Sequence, residues 1–270
     1  MSKKFLSGFL SVGVGGEAEV EIIRTTAGLT YHRGDIILGR GTNTVASDLG
    51  TDARVLVMRN IGAEFDGVNV TAESGTSLSA LARATIKRGL GGLEWAVGIP
   101  GSVGGAVVGN AGAFGGAVGD SVSEVKVLTE RGIVCIGADK LHFSYRKTDG
   151  LPEGIITGVV FRLKRADPVM LAECAAGYDE RRRSSQPTGR SAGSTFLACN
   201  GISAGYYIER AGLKGTRIGG ARVSDKHANF IIVDGGCAND IRLLTDLIKL
   251  KVYAEFGVRL KEEINYIGEF

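Results

Sequence analysis

Three short stretches carry side chains that could do chemistry. In Tyr145-Arg146-Lys147-Thr148 an arginine follows an aromatic at the end of a predicted strand. A guanidinium there can hold a carboxylate or phosphate through two parallel hydrogen bonds, or simply lie solvated on the surface. In Ser191-Ala192-Gly193-Ser194-Thr195-Phe196 a serine follows glycine. Its hydroxyl is either exposed and able to give up a proton or spent on a turn or helix cap. No Gly-x-Ser-x-Gly elbow surrounds it, which argues against a hydrolase nucleophile. Glu262-Glu263 lies on the last predicted strand. Neighbours on a strand point to opposite faces, so only one of the two carboxylates can face a buried site. His227, just before Phe230, reads as a ligand contact or as a structural histidine. With three histidines and four dispersed cysteines, and no Cys-x-x-Cys, neither a metal centre nor a disulfide framework is expected.

What must position these groups is mostly glycine-rich backbone. The run from Gly98 to Gly115 interleaves glycines with small and β-branched residues and one proline. Glycine admits left-handed dihedrals and close approach of a ligand to the backbone, and exposed N–H groups in such turns form anion-binding concavities. The expectation is a loop that cradles a pyrophosphate or a flat cofactor. Gly39-Arg40-Gly41-Thr42-Asn43-Thr44 follows a predicted strand and is a second candidate phosphate loop. No long helix follows it, so a Rossmann reading fails.

Strands are expected at 18–22, 35–39, 54–58, 68–72, 122–128, 133–136, 154–163, 230–233 and 260–267. Helices are expected at 77–88, 168–183 and 239–256, the last closed by Gly257. The segment between the first two strands is short, and a hairpin or bare loop fits it as well as a helix. Residues 184–205 read as irregular. Strands and helices do not alternate strictly, which gives an α+β class. With 42 glycines, only four prolines and no Gly-X-Y period, collagen and disordered linkers are poor readings. A net charge of +3 gives no reason to invoke nucleic acid or an acidic membrane surface. The first residues lack a signal-peptide core and no apolar run is long enough to cross a bilayer, so the cytoplasm is the expected compartment.

Taken together and in this order, the motifs resemble the UDP-N-acetylenolpyruvoylglucosamine reductase family. Leu38–Val45 resembles the family's first flavin loop and Gly98–Gly115 its second. Phe143–Thr148 resembles its arginine motif, and Gln186-Pro187 with Ala192–Phe196 its serine motif. Residues 211–215, 219–224 and 227–230 resemble the substrate-domain signature, and residues 256–268 the C-terminal glutamate motif.

The resemblance implies a vanillyl-alcohol-oxidase-like FAD-binding domain of two subdomains, at 1–60 (shortened) and 61–167. A substrate-binding domain follows at 168–270, its last strand returning to the flavin. It implies non-covalent FAD, NADPH as reductant, and UDP-N-acetylglucosamine enolpyruvate as a small-molecule substrate, in a monomer of the shorter type. By the same resemblance Ser194 is the general acid, and Arg146 and Glu263 stabilise developing charge. Gly39, Arg40, Gly41, Thr42, Asn43, Thr44, Gly98, Pro100, Gly101, Ser102, Gly104, Gly105, Asn110, Ala111 and Gly112 line the cofactor. Arg182, Lys214, His227 and Asn229 are expected at the substrate.

Four features depart from the family pattern. The segment before the first flavin loop is short, Arg40 replaces an expected glycine, Gly109 replaces methionine, and Leu197 replaces a basic or amide residue. They leave open an alternative, a catalytically degenerate paralogue that binds flavin or a nucleotide sugar.

Overall fold

The computed structural model describes residues 2–270. The chain opens with β1 (Ser2–Phe5) and β2 (Glu17–Ile23). In β2, Ala18 and Val20 turn inward while Glu17 and Glu19 stay exposed, the period of two that marks a half-buried strand. β3 (Ile36–Leu38), β4 (Thr44–Ala46), β5 (Arg54–Met58), β6 (Ala63–Asp66) and β7 (Asn69–Glu73) follow. Then come α1 (Leu78–Ile86), capped by the Ser77 side chain, and α2 (Val103–Val108). The middle of the chain forms β8 (Val122–Thr129), β9 (Gly132–Gly137), β10 (His142–Ser144), β11 (Lys147–Asp149) and β12 (Ile155–Arg162). The rest comprises α3 (Pro168–Ser185), α4 (Ala204–Arg210), β13 (Ala221–Val223), β14 (Ile231–Val233), α5 (Ala238–Phe256) and β15 (Asn265–Ile267).

These elements group into two compact units that are not consecutive blocks. The second unit comprises residues 21–40 and 55–182. Its main sheet is antiparallel in the order β9-β8-β12-β7-β6, with Val125 opposite Val159 and Val159 opposite Ala72. α1 lays Leu78, Leu81, Ala82 and Ile86 into the core that includes Val159, Phe161, Leu93 and Trp95. Apolar residues at i, i+3, i+4 and i+8 put that stripe on one helix face. Beside it β3 and β5 pair in parallel, Ile37 opposite Leu56. Residues 24–35, which connect β2 to β3, contain no helix. Tyr31 anchors this connection: its ring is buried and its hydroxyl donates to Glu153 Oε1 at 3.0 Å. The short segment therefore still delivers β3 into a parallel pair.

The first unit comprises residues 2–20, 41–54 and 183–270. Here β4 and β15 pair in parallel, Val45 opposite Tyr266. This pairing is why residues 41–54 join the C-terminal part of the chain, and it brings the end of the chain back to the Gly41–Thr44 loop. Each unit is thus assembled from stretches far apart in the sequence. α5 packs on β13 through a face bearing Ile241, Leu244, Ile248 and Val252. Each such burial contributes about 1.5–3 kcal/mol.

Two expectations are corrected. Gly98–Gly115 is not a continuous loop, because Ser102 caps α2 and Val103, Ala106 and Val107 are buried. The last strand is shorter than 260–267: the regular ladder covers only Asn265–Ile267, and Glu262 meets Phe196 through a single isolated bridge.

Candidate active site

In the second unit the loop after β3 lies against the start of α2. A Cβ at Gly39 would overlap the Ser102 hydroxyl, so the glycine is what lets the two predicted cofactor loops touch. Ser102 is itself 3% exposed and accepts from the Gly105 N–H at 3.5 Å. Val103 N–H donates to Thr76 O at 2.9 Å and Gly104 N–H to Ser74 O at 2.8 Å, which fixes the turn. Gly98 and Gly101 take φ of 81° and 138°, conformations that L side chains rarely adopt. Arg40 is exposed, whereas the guanidinium of Arg59 is half-buried and donates to the carbonyls of Gly39 at 2.8 Å and Met58 at 2.8 Å. Burial and the neighbouring Arg40 charge both push the Arg59 pKa down. Two cations beside a glycine turn, at the carboxyl ends of parallel β3 and β5, suit a phosphate-bearing ligand. Sequence reasoning missed Arg59, whose only signal was its place directly after a buried strand.

The hairpin β10–β11 holds Arg146 at its tip and is bonded to the same loop. Asn110 Nδ2 donates to Ser144 O at 2.9 Å, Arg146 Nη1 to Gly112 O at 3.1 Å, and Thr148 Oγ1 to Val107 O at 2.5 Å. Asn110 Oδ1 also accepts from Gly119 N–H at 3.0 Å. Its carboxamide is thus engaged in shaping the loop. Asn110, Phe114 and Arg146 all have positive φ, at 36°, 55° and 57°. Non-glycine residues in that region cost of order 1–3 kcal/mol, and such strain collects at functional sites. Arg182, on α3, donates from Nε to Gly98 O at 3.1 Å. Burial lowers its pKa, Asp179 offsets part of that, and the nearby Arg146 charge lowers it again. Arg146 and Arg182 thus each donate to a carbonyl of this loop, an arrangement suited to an anion.

In the first unit Gly41 has φ 64° and a Cβ there would overlap Phe9 O. Gly193, with φ 77°, lies beside Thr42, whose carbonyl oxygen is 3.8 Å from where its Cβ would be. Ser194 follows and bridges Phe230. Thr195 N–H donates to Asn229 O at 2.8 Å, and Glu263 N–H donates to Thr195 O at 2.8 Å. Leu197 N–H donates to Lys261 O at 2.9 Å. The serine and glutamate segments are thus paired directly. Asn43 completes the clamp: its Nδ2 donates to Glu263 O at 3.0 Å, and its carbonyl accepts from Asn265 N–H at 3.0 Å.

Asn229 is 6% exposed and spends both ends of its carboxamide on the backbone of Phe196, at 2.9 and 2.8 Å. This fixes it behind the serine segment. His227 Nδ1 accepts from Asn229 N–H at 3.2 Å, which leaves the ring proton of the neutral form on Nε2. Burial, chiefly, pushes the His227 pKa down, and Lys214 pushes it further. Lys214 is paired with Glu209 at 2.6 Å. Of the departures, Gly109 has room: the nearest atom to a Cβ there is Gly105 O at 3.7 Å.

The second unit thus carries a glycine-lined, arginine-bearing cradle, and the first unit a paired serine–glutamate ribbon. An FAD-binding domain model matches residues 27–136, and the C-terminal domain model of UDP-N-acetylenolpyruvoylglucosamine reductase matches residues 185–267. The UDP-N-acetylenolpyruvoylglucosamine reductase of Caldicellulosiruptor bescii is 43% identical, over 87% of this chain and 77% of its own. That of Nostoc sp. strain PCC 7120 is 37% identical over the whole of this chain and 86% of its own. The crystal structure of the enzyme from Thermus caldophilus superposes with a TM-score of 0.89 at 33% identity, covering 99% of this chain and 98% of that one. The chain belongs to the UDP-N-acetylenolpyruvoylglucosamine reductase family.

Proposed function

We propose that the protein reduces UDP-N-acetylglucosamine enolpyruvate to UDP-N-acetylmuramate, using FAD and NADPH, in peptidoglycan synthesis. The observation that supports this reading is the backbone pairing of the segments that carry Ser194 and Glu263. Bound FAD supplies a hydride taken from NADPH. In the second unit Gly39, Gly98, Pro100, Gly101, Ser102, Gly104, Gly105, Ala111 and Gly112 would hold it through backbone and small side chains, with Arg40 and Arg59 suited to its phosphates; in the first unit Gly41, Thr42 and Thr44 would do the same.

Hydride arrival at the enolpyruvyl methylene carbon moves the π electrons onto the adjacent carbon and its carboxylate as an enolate. Arg146 pairs with that carboxylate, and fixed donors aimed at developing charge lower the barrier. In its protonated form the Glu263 carboxyl donates a second hydrogen bond to it. Ser194 gives its hydroxyl proton to the carbon and is reprotonated from solvent. An enolate is basic enough to take that proton when the two are held in contact. Arg182 and Lys214 serve the UDP phosphates, and His227 donates from Nε2 to the same ligand. Asn43, Asn110 and Asn229 act by holding the loops. We infer a cytoplasmic monomer; among the described residues no helix is long and apolar enough to cross a membrane.

The test is anaerobic. The FAD-loaded protein is reduced with NADPH and mixed with the enolpyruvyl substrate while flavin absorbance is followed. Rapid return of the oxidised spectrum is expected. A flavin that reduces but stays reduced would sink the substrate assignment. Failure to bind FAD would sink the whole reading. No feature of either unit favours the non-catalytic alternative.

A further inference from the structure

We propose that Ser11 is a positioning residue that ties the Gly41–Thr44 cofactor loop to the segment carrying the proton donor Ser194. The inference rests on the roles given above to that loop and to Ser194, and all its residues belong to the first unit.

In the reaction proposed above, hydride and proton are added to neighbouring carbons of one substrate. The loop that holds the hydride carrier and the serine that gives the proton must therefore keep a fixed separation. The glutamate side of the ribbon has a ladder for this: β4 and β15 pair in parallel, with Thr44 opposite Asn265. Among the described residues the serine side has no strand pairing with the loop. Its bridges run the other way, from Arg190 to Val233 and from Ser194 to Phe230. Ser11 supplies the missing tie. Its N–H donates to Gly41 O at 2.9 Å and its hydroxyl to Ser191 O at 2.6 Å, with Gly41 O also within reach of the hydroxyl at 3.1 Å. A serine hydroxyl carries one proton. The Gly41 carbonyl is already served by the N–H, so that proton goes chiefly to the closer Ser191 carbonyl. One residue thus bonds the loop with its backbone and the serine segment with its side chain.

The neighbours hold Ser11 in place. Leu10 and Val12 on either side are 6% and 1% exposed, and Gly13 N–H donates to Leu10 O at 3.1 Å. A Cβ at Gly41 would meet Leu10 Cα at 3.0 Å, and one at Gly13 would meet Arg190 Cδ at 3.0 Å. The turn at 10–13 therefore touches the loop on one side and the start of the serine segment on the other. From Ser191 the chain reaches Ser194 through buried Ala192 and through Gly193, with φ 77°. So short a span passes a shift at Ser191 on to the hydroxyl, and a misplacement of about 1 Å at a reacting group can cost a factor of about 100.

The first measurement reads no activity. Hydrogen–deuterium exchange is followed by mass spectrometry with and without FAD. Loading FAD should slow exchange in a peptide covering residues 190–196 of the wild type. In Ser11→Ala that protection should be lost, while protection of 263–267, which includes the partner of β4, remains. The second measurement uses the FAD-loaded enzyme in stopped flow. Ser11→Ala should leave flavin reduction by NADPH within about twofold and slow reoxidation by substrate about tenfold to a hundredfold. Ser11→Thr, which keeps the hydroxyl, should restore most of the rate. In a Ser194→Ala background Ser11→Ala should add no further slowing. Should Ser11→Ala fail to fold, Ser11→Cys, close in size but a weak donor, is read in the same way. The positioning role alone is overturned by wild-type reoxidation in Ser11→Ala, by equal slowing with and without the Ser194 hydroxyl, or by FAD-induced protection of 190–196 that is absent from the wild type or survives the change. Wild-type reoxidation in Ser194→Ala overturns the role of Ser194 and the positioning claim with it.

Discussion

Ser194 sits between a left-handed glycine and a buried threonine whose N–H and C=O are both bonded, so its backbone has little freedom. Replacing its hydroxyl removes a proton donor without leaving a buried polar atom unpaired. Ser194→Ala should therefore fold, bind FAD and be reduced by NADPH normally. Its reoxidation by substrate should fall by about 100- to 10,000-fold, the usual worth of a positioned acid. Normal reoxidation, measured by stopped-flow absorbance, would make the serine structural only. Gly39 gives a second test, on the cofactor side. A methyl group there overlaps the Ser102 hydroxyl, and overpacking of this kind costs about 1–3 kcal/mol. Gly39→Ala should weaken FAD binding and lower Tm. Gly39→Ala/Ser102→Ala should recover part of both, because the Ser102 Cβ is at an ordinary 3.5 Å. If the double variant is no better than the single, the contact is not what demands glycine. At this scale the sequence offered candidates where residue type and neighbourhood coincide, as at Arg146, Ser194 and Glu263. It offered Asn43 and Asn229 as ligand contacts and gave no sign that their amides bond to backbone of distant segments.

Among the elements, long periodic ones were legible and short ones were not. α3 and α5 could be placed within a residue or two because 18 and 19 residues reveal a helical period. α2 has six residues, four of them buried, and is carried by its Ser102 cap and the contacts of its apolar side chains. No window that short distinguishes a helix from a glycine loop. α5 also shows how one residue fixes an element end. Asp240 Oδ2 accepts from Gly220 N–H at 2.9 Å and from Cys237 N–H at 3.0 Å. The bond from Gly220, then that from Cys237, holds the carboxyl below the ordinary Asp range. A depressed folded-state pKa means the stabilisation is present above the unfolded value of about 3.9 and is lost as pH falls through the lower folded value. Asp240→Asn should cost about 1 kcal/mol near neutrality, and the gap to wild type should close in strong acid. Urea titrations at several pH values read this directly, and a gap independent of pH would exclude the carboxylate as its source.

The interleaving of the two units is the feature of the whole molecule that was least legible, because it depends on β4 finding β15 at the far end of the chain. No local propensity encodes such a pairing. It has a consequence for which parts of the chain can fold alone. Both buried clusters of the second unit are drawn from residues 23–175. A fragment spanning 21–182 therefore keeps every residue of those clusters, with 41–54 reduced to a flexible loop whose closure costs roughly 2 kcal/mol. The fragment 183–270 is in the opposite position. It retains α4, α5 and β13–β14, but β15 loses β4, whose Val45 and Ala46 are fully buried. It also loses Asp48, which accepts from the Ala238 and Asn239 N–H groups at the start of α5, at 2.9 and 3.1 Å. An asymmetry follows: 21–182 should unfold cooperatively in urea with a defined near-UV circular dichroism signal, while 183–270 should show neither. Cooperative unfolding of 183–270 by itself would mean that the β4–β15 pairing and the Asp48 cap add little to the first unit, and that its C-terminal residues form a sufficient core.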